Sequence, residues 1–136
     1  MDLDKARQFL QDHHRAVLAT RRRSGDPQLS IVAAGVDADG RAVISTRETA
    51  VKTKNLRRDP RASLLVMSDE FYGEWVQLDG TVEVVSLPEA MEPLVDYYRR
   101  LAGEHDDWDD YRAAMERDRR VILRLTIERA GPDSSG

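Results

Sequence analysis

The sequence predicts a mainly β domain, a six-stranded antiparallel barrel with helical additions. Three observations lead there. Six segments carry strand-like patterns and are separated by short turns rich in Gly, Pro, Asp and Ser. Two of them, 74–85 and 119–129, alternate apolar and polar residues, as strands with one face on a core do. Helical periodicity is confined to short segments, so helices decorate the sheet rather than follow every strand. At 136 residues one domain is expected. It is placed at 1–130, and the tail Gly131-Pro132-Asp133-Ser134-Ser135-Gly136 is read as disordered.

In chain order, residues 2–13 read as a helix, because Leu3, Ala6, Phe9 and Leu10 fall on one face. Residues 16–22 form a strand that ends in the turn Ser24-Gly25-Asp26-Pro27. The run 28–36 is almost continuously small and apolar, the pattern of a strand covered on both faces. After the turn Asp37-Ala38-Asp39-Gly40 come a strand at 41–46, a helix at 49–58 stopped before Pro60, and a strand at 61–67. In 74–85, Val76, Leu78, Val82 and Val84 share one face; Trp75, Gln77, Asp79, Thr81 and Glu83 share the other. Pro88 suits the start of a helix reaching about Ala102, and a second helix follows over 107–117. The last strand turns Val121, Leu123, Leu125 and Ile127 inward and Arg124, Thr126 and Glu128 outward.

Composition removes several classes of chemistry. The absence of cysteine excludes disulfides, cysteine-ligated zinc, iron–sulfur clusters and thiol catalysis. No apolar run approaches ~18 residues, so no membrane-spanning helix is expected. The charged, amphipathic N-terminus does not resemble a secretory signal, and a cytoplasmic location is expected. The net charge of −4 argues against a nucleic-acid partner. Charge is unevenly spread. Residues 52–61 hold five basic groups and one acid, whereas 104–118 hold seven acids and two arginines. Two of the three lysines in the chain, Lys52 and Lys54, lie in the basic segment.

That basic segment carries the first candidate site. A strand delivers Ser45, Thr46 and Arg47 toward a helix N-terminus whose first turn holds Lys52. A cation there opposes the helix dipole at a cost of about 0.3–1 kcal/mol. A bound phosphate would reverse that sign, since backbone N–H groups and the ammonium converge on it. The alternative is a solvated basic face compensated by Glu48. No phosphate-binding Gly-rich loop is present, so an ordinary nucleotide fold is excluded.

Trp75 is the second candidate. It lies on the polar side of its strand and needs a cover: a partner subunit, a ligand ring or a local helix. Trp108 and Tyr111 raise the same question. The acids Asp106, Asp107, Asp109 and Asp110 beside His105 lack a metal-ligand spacing and suit helix capping; no metal site is expected. His13 and His14 suit dipole compensation at the end of the first helix. No side chain stands out as a catalytic nucleophile or acid–base pair, so any reactive group would be borrowed from a cofactor.

The segment Lys52-Thr53-Lys54-Asn55-Leu56-Arg57-Arg58-Asp59-Pro60-Arg61-Ala62-Ser63 resembles the split β-barrel superfamily of pyridoxamine 5′-phosphate oxidase-like flavin and deazaflavin proteins. Three other stretches agree in order: Ala16–Thr20 with Gly25–Ser30, Trp75–Gly80, and Gly103–Tyr111. The last is most similar to the actinobacterial branch of F420-dependent oxidoreductases. The resemblance covers residues 10–129 and implies a six-stranded split barrel that dimerises, with the cofactor in a groove between the two copies.

By that resemblance Lys52 and Asn55 hold the cofactor phosphate and Ser45 and Thr46 supply hydroxyls beside it. Pro27, Gln28 and Ser30 lie along the ring system, and Trp75 lines the groove. Lys54, Arg57 and Arg58 are candidates for the cofactor's polyglutamate tail. Two positions depart from the pattern. Ala50 stands where close relatives carry an arginine two residues before the lysine, leaving Arg47 as a substitute, and Ile31 stands where relatives can be polar. The implied activity is hydride transfer between reduced F420 and a small-molecule acceptor. The alternatives are an FMN oxidoreductase of the same group, or a cofactor carrier without turnover.

Overall fold

A computed structural model describes residues 1–133. Its elements are α1 (Leu3–Asp12), β1 (Arg15–Arg21), β2 (Pro27–Val36), β3 (Ala42–Arg47), α2 (Val51–Arg58), β4 (Arg61–Met67), β5 (Trp75–Val85), α3 (Met91–Ala102), α4 (Trp108–Arg117) and β6 (Arg120–Gly131). The strands close into a barrel in the order β1-β2-β3-β6-β5-β4, and every neighbouring pair is antiparallel. The six-stranded antiparallel barrel with helices is therefore the architecture of this chain.

The expected alternation fills the barrel. Ala16 and Leu18, Ala34 and Val36, Leu64 and Val66, Val76 and Leu78, and Val121, Leu123 and Leu125 are all buried in one cluster. Ala6 and Leu10 of α1 join it and plug one end. Asp2 caps α1 by accepting from the Asp4 N–H at 2.9 Å. The two histidines after α1 each make a specific contact. The His13 ring lies 4.3 Å from that of Phe9, and His14 Nδ1 is 2.8 Å from the Ala34 carbonyl oxygen of β2.

A second cluster lies outside the barrel, where α3 and α4 cover β3 and β6. It joins Val43 and Ile122 to Ala90, Leu94, Val95 and Tyr111. Ile122 is fully buried although it belongs to the outward set of its strand, because these helices give β6 a second apolar face. Tyr111 donates to the Leu94 carbonyl at 2.8 Å, and burial pushes its phenol up to about 12. Trp108 packs edge-on against Tyr98 and Tyr111, under the Arg99 guanidinium, so both aromatics of this segment are covered within the chain. The acids before α4 cap it: Asp107 accepts from the Asp110 N–H at 3.1 Å.

Three boundaries differ from the sequence reading by more than one residue. α2 begins at Val51 rather than Thr49, and α3 begins at Met91 after a turn through Leu87–Ala90. β6 continues to Gly131, while residues 134–136 of the expected disordered tail lie outside the described residues.

The third difference has a cause in pairing. Gly80 faces Ile127 and Asp79 faces Arg129, so Glu128 is an extra residue, a β-bulge. Beyond it the parity of β6 flips and Ala130 turns inward. Arg129 thereby reaches Asp79, with Nη2 at 2.9 Å from Oδ2.

Gly80 makes this crossing possible. A Cβ there would lie 1.9 Å from the Thr126 carbonyl oxygen, a backbone atom that cannot swing away. Gly80→Ala is therefore expected to lower stability by about 1–3 kcal/mol, as overpacking in a closed sheet does, in urea unfolding curves.

β2 corrects the expectation of cover on both faces. Only Ala34, Gly35 and Val36 are buried, Ala34 and Val36 in the barrel core and Gly35 beneath α3, where a Cβ would lie 2.5 Å from Leu101 Cδ1. Leu29 is 64% exposed and Ile31 90% exposed. Among the described residues nothing covers them.

Candidate functional site

The first part of the site is a basic corner where β3 runs into α2. Arg47 ends β3, and its carbonyl accepts from the Ala50 N–H at 3.2 Å and from the Thr53 hydroxyl at 2.7 Å. These bonds turn the chain so that α2 starts beside the strand end. Ala50 is its N-cap and has no side chain to offer, and its first turn holds no acid. Lys52 sits in that first turn. Burial lowers its pKa, and the neighbouring Arg120 guanidinium lowers it further.

Strand alternation divides the two hydroxyls expected here. Ser45 is half-buried on the outer face, opposite Ile122 and beside α3, while Thr46 is buried toward the barrel, opposite Val121. Ser45, Arg47 and Lys52 thus share one corner, and Thr46 supports it from behind.

Asn55 lies on the inner side of α2. It is buried; its Nδ2 donates to Thr20 Oγ1 at 3.1 Å, and its Oδ1 accepts from Arg58 at 3.3 Å. Thr20 in turn donates to Gln28 Oε1 at 3.3 Å, and Gln28 Nε2 donates to Ser30 Oγ at 3.1 Å. This chain of polar groups brings Asn55, Gln28 and Ser30 together and anchors α2 to β1 and β2. Pro27 begins β2 at the rim of a cleft of about 510 Å³ that also holds Arg61, Asp79 and Arg129.

Trp75 stands apart. β1 and β4 separate its strand from β2. It points outward, 37% exposed, into a groove of about 690 Å³ walled by Arg15, Leu65, Met67, Phe71, Tyr72 and Gln77. Phe71 and Tyr72, at 89% and 95% exposure, are the largest uncovered aromatics among the described residues, and sequence reasoning passed over them. Two adjacent aromatics in the polar loop Ser68-Asp69-Glu70-Phe71-Tyr72-Gly73 were the available signal. Of the basic residues considered for an anionic tail, Arg57 is engaged by Glu48 at 2.6 Å and Arg58 by the Arg21 carbonyl.

Arg120 was also missed. It pairs across the ladder with Arg47, an adjacency invisible without the β3–β6 register.

The family model for pyridoxamine 5′-phosphate oxidase matches residues 3–132. The chain belongs to this family. Among solved structures, it is similar to the conserved hypothetical protein Rv2991 from Mycobacterium tuberculosis, with 27% identity, 100% of this chain and 92% of the other covered, and a TM-score of 0.78. It is similar in fold to an F420 reductase, with 20% identity, 91% and 94% covered, and a TM-score of 0.70. A heme-binding protein from Mycobacterium smegmatis shares the fold at 22% identity and a TM-score of 0.70, with 94% of this chain and 52% of the other covered. These last two likenesses are of fold.

The electrostatics of the corner can be measured without any ligand. Because Lys52 has a lowered pKa in the folded chain, the fold holds its proton less tightly than the unfolded chain does. The charged ammonium therefore costs stability at every pH below its folded pKa, and the cost is relieved as pH rises toward the unfolded value of about 10.4. Lys52→Met is expected to raise the stability of the ligand-free protein at pH 7, by about 0.3–1 kcal/mol from the dipole contribution. Urea unfolding at pH 7 and pH 10 checks both the sign and its decrease with pH.

Proposed function

We propose that this chain is an oxidoreductase that binds F420 and transfers a hydride between the reduced cofactor and a small-molecule acceptor. The observation that carries the reading is the uncapped, cation-rich start of α2 in a chain of the pyridoxamine 5′-phosphate oxidase family. Lys52 and Arg47 are cations without an ion pair among the described residues, next to helix N–H groups that no side chain caps. That corner fits a phosphate. The resemblance of Gly103–Tyr111 to the F420 branch favours the deazaflavin.

Each residue has a task that follows from its place. Lys52 and Arg47 hold the phosphate, with Ser45 as a neutral donor beside them. Asn55 keeps α2 docked on Thr20, and Thr46 backs the strand end, so both position the corner. Gln28 and Ser30, oriented by their mutual hydrogen bond, border the ring, and Pro27 shapes the entry to that strand. When bound, the deazaflavin would supply the hydride at its C5. The protein contributes orientation and exclusion of water, and no side chain acts as a nucleophile.

A homodimer completes the site in this reading. Trp75 and the basic corner do not share a groove in one chain, and between them runs the outward row of exposed Ile31 and half-buried Val17 and Leu65. A second copy laid on that row covers Leu29 and Ile31 and brings its Trp75 to the ring site. The protein is expected to sediment as a dimer at micromolar concentration. Ile31→Lys is expected to yield a folded monomer that has lost cofactor binding.

FMN is the second reading, favoured by the same corner, because several cations suit the dianionic phosphate of a monoester. Titration of the ligand-free dimer with F420 and with FMN, followed by tryptophan quenching, separates the two. Tighter binding of F420 supports the proposal, and the reverse preference moves the chain to the flavin reading. With either cofactor, Lys52→Met should weaken binding by about 1.5–3 kcal/mol, the range for a charge-assisted hydrogen bond. Turnover of reduced cofactor against a panel of conjugated C=C and C=N acceptors distinguishes an enzyme from a carrier.

A further inference from the structure

We infer that Arg120 replaces the arginine absent at position 50, joining Arg47 and Lys52 in a three-cation cradle that makes this chain selective for a phosphorylated ring cofactor over its dephosphorylated counterpart. The inference rests on the cofactor-binding reading above and extends it to a residue from the far end of the chain.

Register places Arg120 first. It lies directly across the β3–β6 ladder from Arg47. Like charges directly opposite each other on one sheet face are destabilising, so the pair needs a counter-charge. The alignment is held by the backbone: the Glu48 N–H donates to the Arg119 carbonyl at 2.9 Å, which ties the end of β3 to the start of β6. Arg119 itself turns the chain from α4 into β6 with φ of +53°, in the left-handed region a non-glycine residue seldom adopts.

The second observation is that one donor of Arg120 is unsatisfied. Its Nε is buried and, like that of Arg124, has no hydrogen-bond partner among the described residues. Asp118 Oδ2 forms an ion pair with it at 3.8 Å, too far for a hydrogen bond. Buried donors are normally paired, and an orphan calls for an explanation. The other groups around Arg120 are the phenols of Tyr97 and Tyr111, and neither supplies negative charge. The Tyr97 hydroxyl is committed to the Ala33 carbonyl at 2.8 Å, and the Tyr111 hydroxyl to the Leu94 carbonyl.

Third, Arg120 is close enough to Lys52 to lower its pKa. The three cations come from the end of β3, the first turn of α2 and the start of β6, which meet at one end of the β3–β6 ladder. Like charges gathered there repel one another, and a bound phosphate would turn that repulsion into attraction. An arginine offers a planar fork of donors, which matches phosphate oxygens as a lysine cannot.

The test uses the dimeric protein with Arg120→Gln and the conservative Arg120→Lys. FMN is compared with riboflavin, and F420 with its ring bearing only the ribityl chain. Thermal shifts with millimolar orthophosphate and pyrophosphate provide a cofactor-free arm. Arg120→Gln is expected to weaken the phosphorylated ligand at least tenfold and leave the dephosphorylated one within twofold. Arg120→Lys should restore part of the loss, and the pyrophosphate-induced shift should vanish in Arg120→Gln.

Unchanged affinity for the phosphorylated ligand, or an equal loss for both members of a pair, overturns the inference and leaves the cofactor reading standing. If the unaltered protein binds no cofactor but shows a pyrophosphate shift that Arg120→Gln abolishes, the cradle stands and the cofactor reading fails. No response to cofactors or to either anion overturns both.

Discussion

β6 hydrogen-bonds along one edge to β3, from Ala42↔Leu125 to Arg47↔Arg120, and along its other edge to β5, from Val85↔Ile122 to Gln77↔Gly131. These two ladders close the barrel with the last strand of the chain. They also decide what stands beside what. Closure sets the end of β3 against the start of β6 and so brings Arg120 to the corner that Arg47 and α2 build. The bulge at Glu128 lets one long strand serve both neighbours despite their twist, and the close backbone approach at Gly80 lets β5 and β6 cross. A barrel that failed to close here would lose its core and the cation cluster together.

The cost of that cluster shows how a binding site is written into a fold. Elsewhere in the chain basic groups are neutralised locally: Arg41 by Asp37, Arg57 by Glu48, Arg129 by Asp79. At the start of α2 the opposite choice has been made. A position that normally favours acids holds none, the cap residue is Ala50, and burial and the Arg120 guanidinium lower the pKa of Lys52. Such a local conflict is destabilising without a ligand, and conflicts of this kind are where sites are expected.

How much of this could be read from the sequence depended on the range of the interaction. Alternation along 74–85 placed Val76, Leu78 and Val82 inside and Trp75 outside, because side-chain period is a property of the strand itself. The basic corner was legible for the same reason: Arg47 and Lys52 are five residues apart. Adjacent strand residues must point to opposite faces, so the division of Ser45 from Thr46 was legible in principle as well. Three features were not. The extra residue at Glu128 flips parity only because β5 pairs on both sides of it. The hydrogen bond from Asn55 to Thr20 spans 35 positions. The Arg47↔Arg120 pairing depends on a ladder between strands with the whole middle of the chain between them.

β2 shows a different kind of illegibility. Its small apolar residues imply two covered faces, and in the folded chain its first half has only one. The sequence pattern and the single chain disagree, and both are statements about burial. The pattern reflects the environment in which the residues act; the chain alone supplies only part of it. α3 covers Gly35 and bonds to Ala33 through Tyr97, and beyond that point the outer face of β2, β1 and β4 is left as a continuous apolar row from Ile31 through Val17 to Leu65. A row of that kind in water favours association. It runs between the two halves of the candidate site, the basic corner at one side and the Trp75 groove at the other. An association that hid the row would bring one copy's corner toward the other's tryptophan, so burial of apolar surface and assembly of a cofactor groove would be the same event.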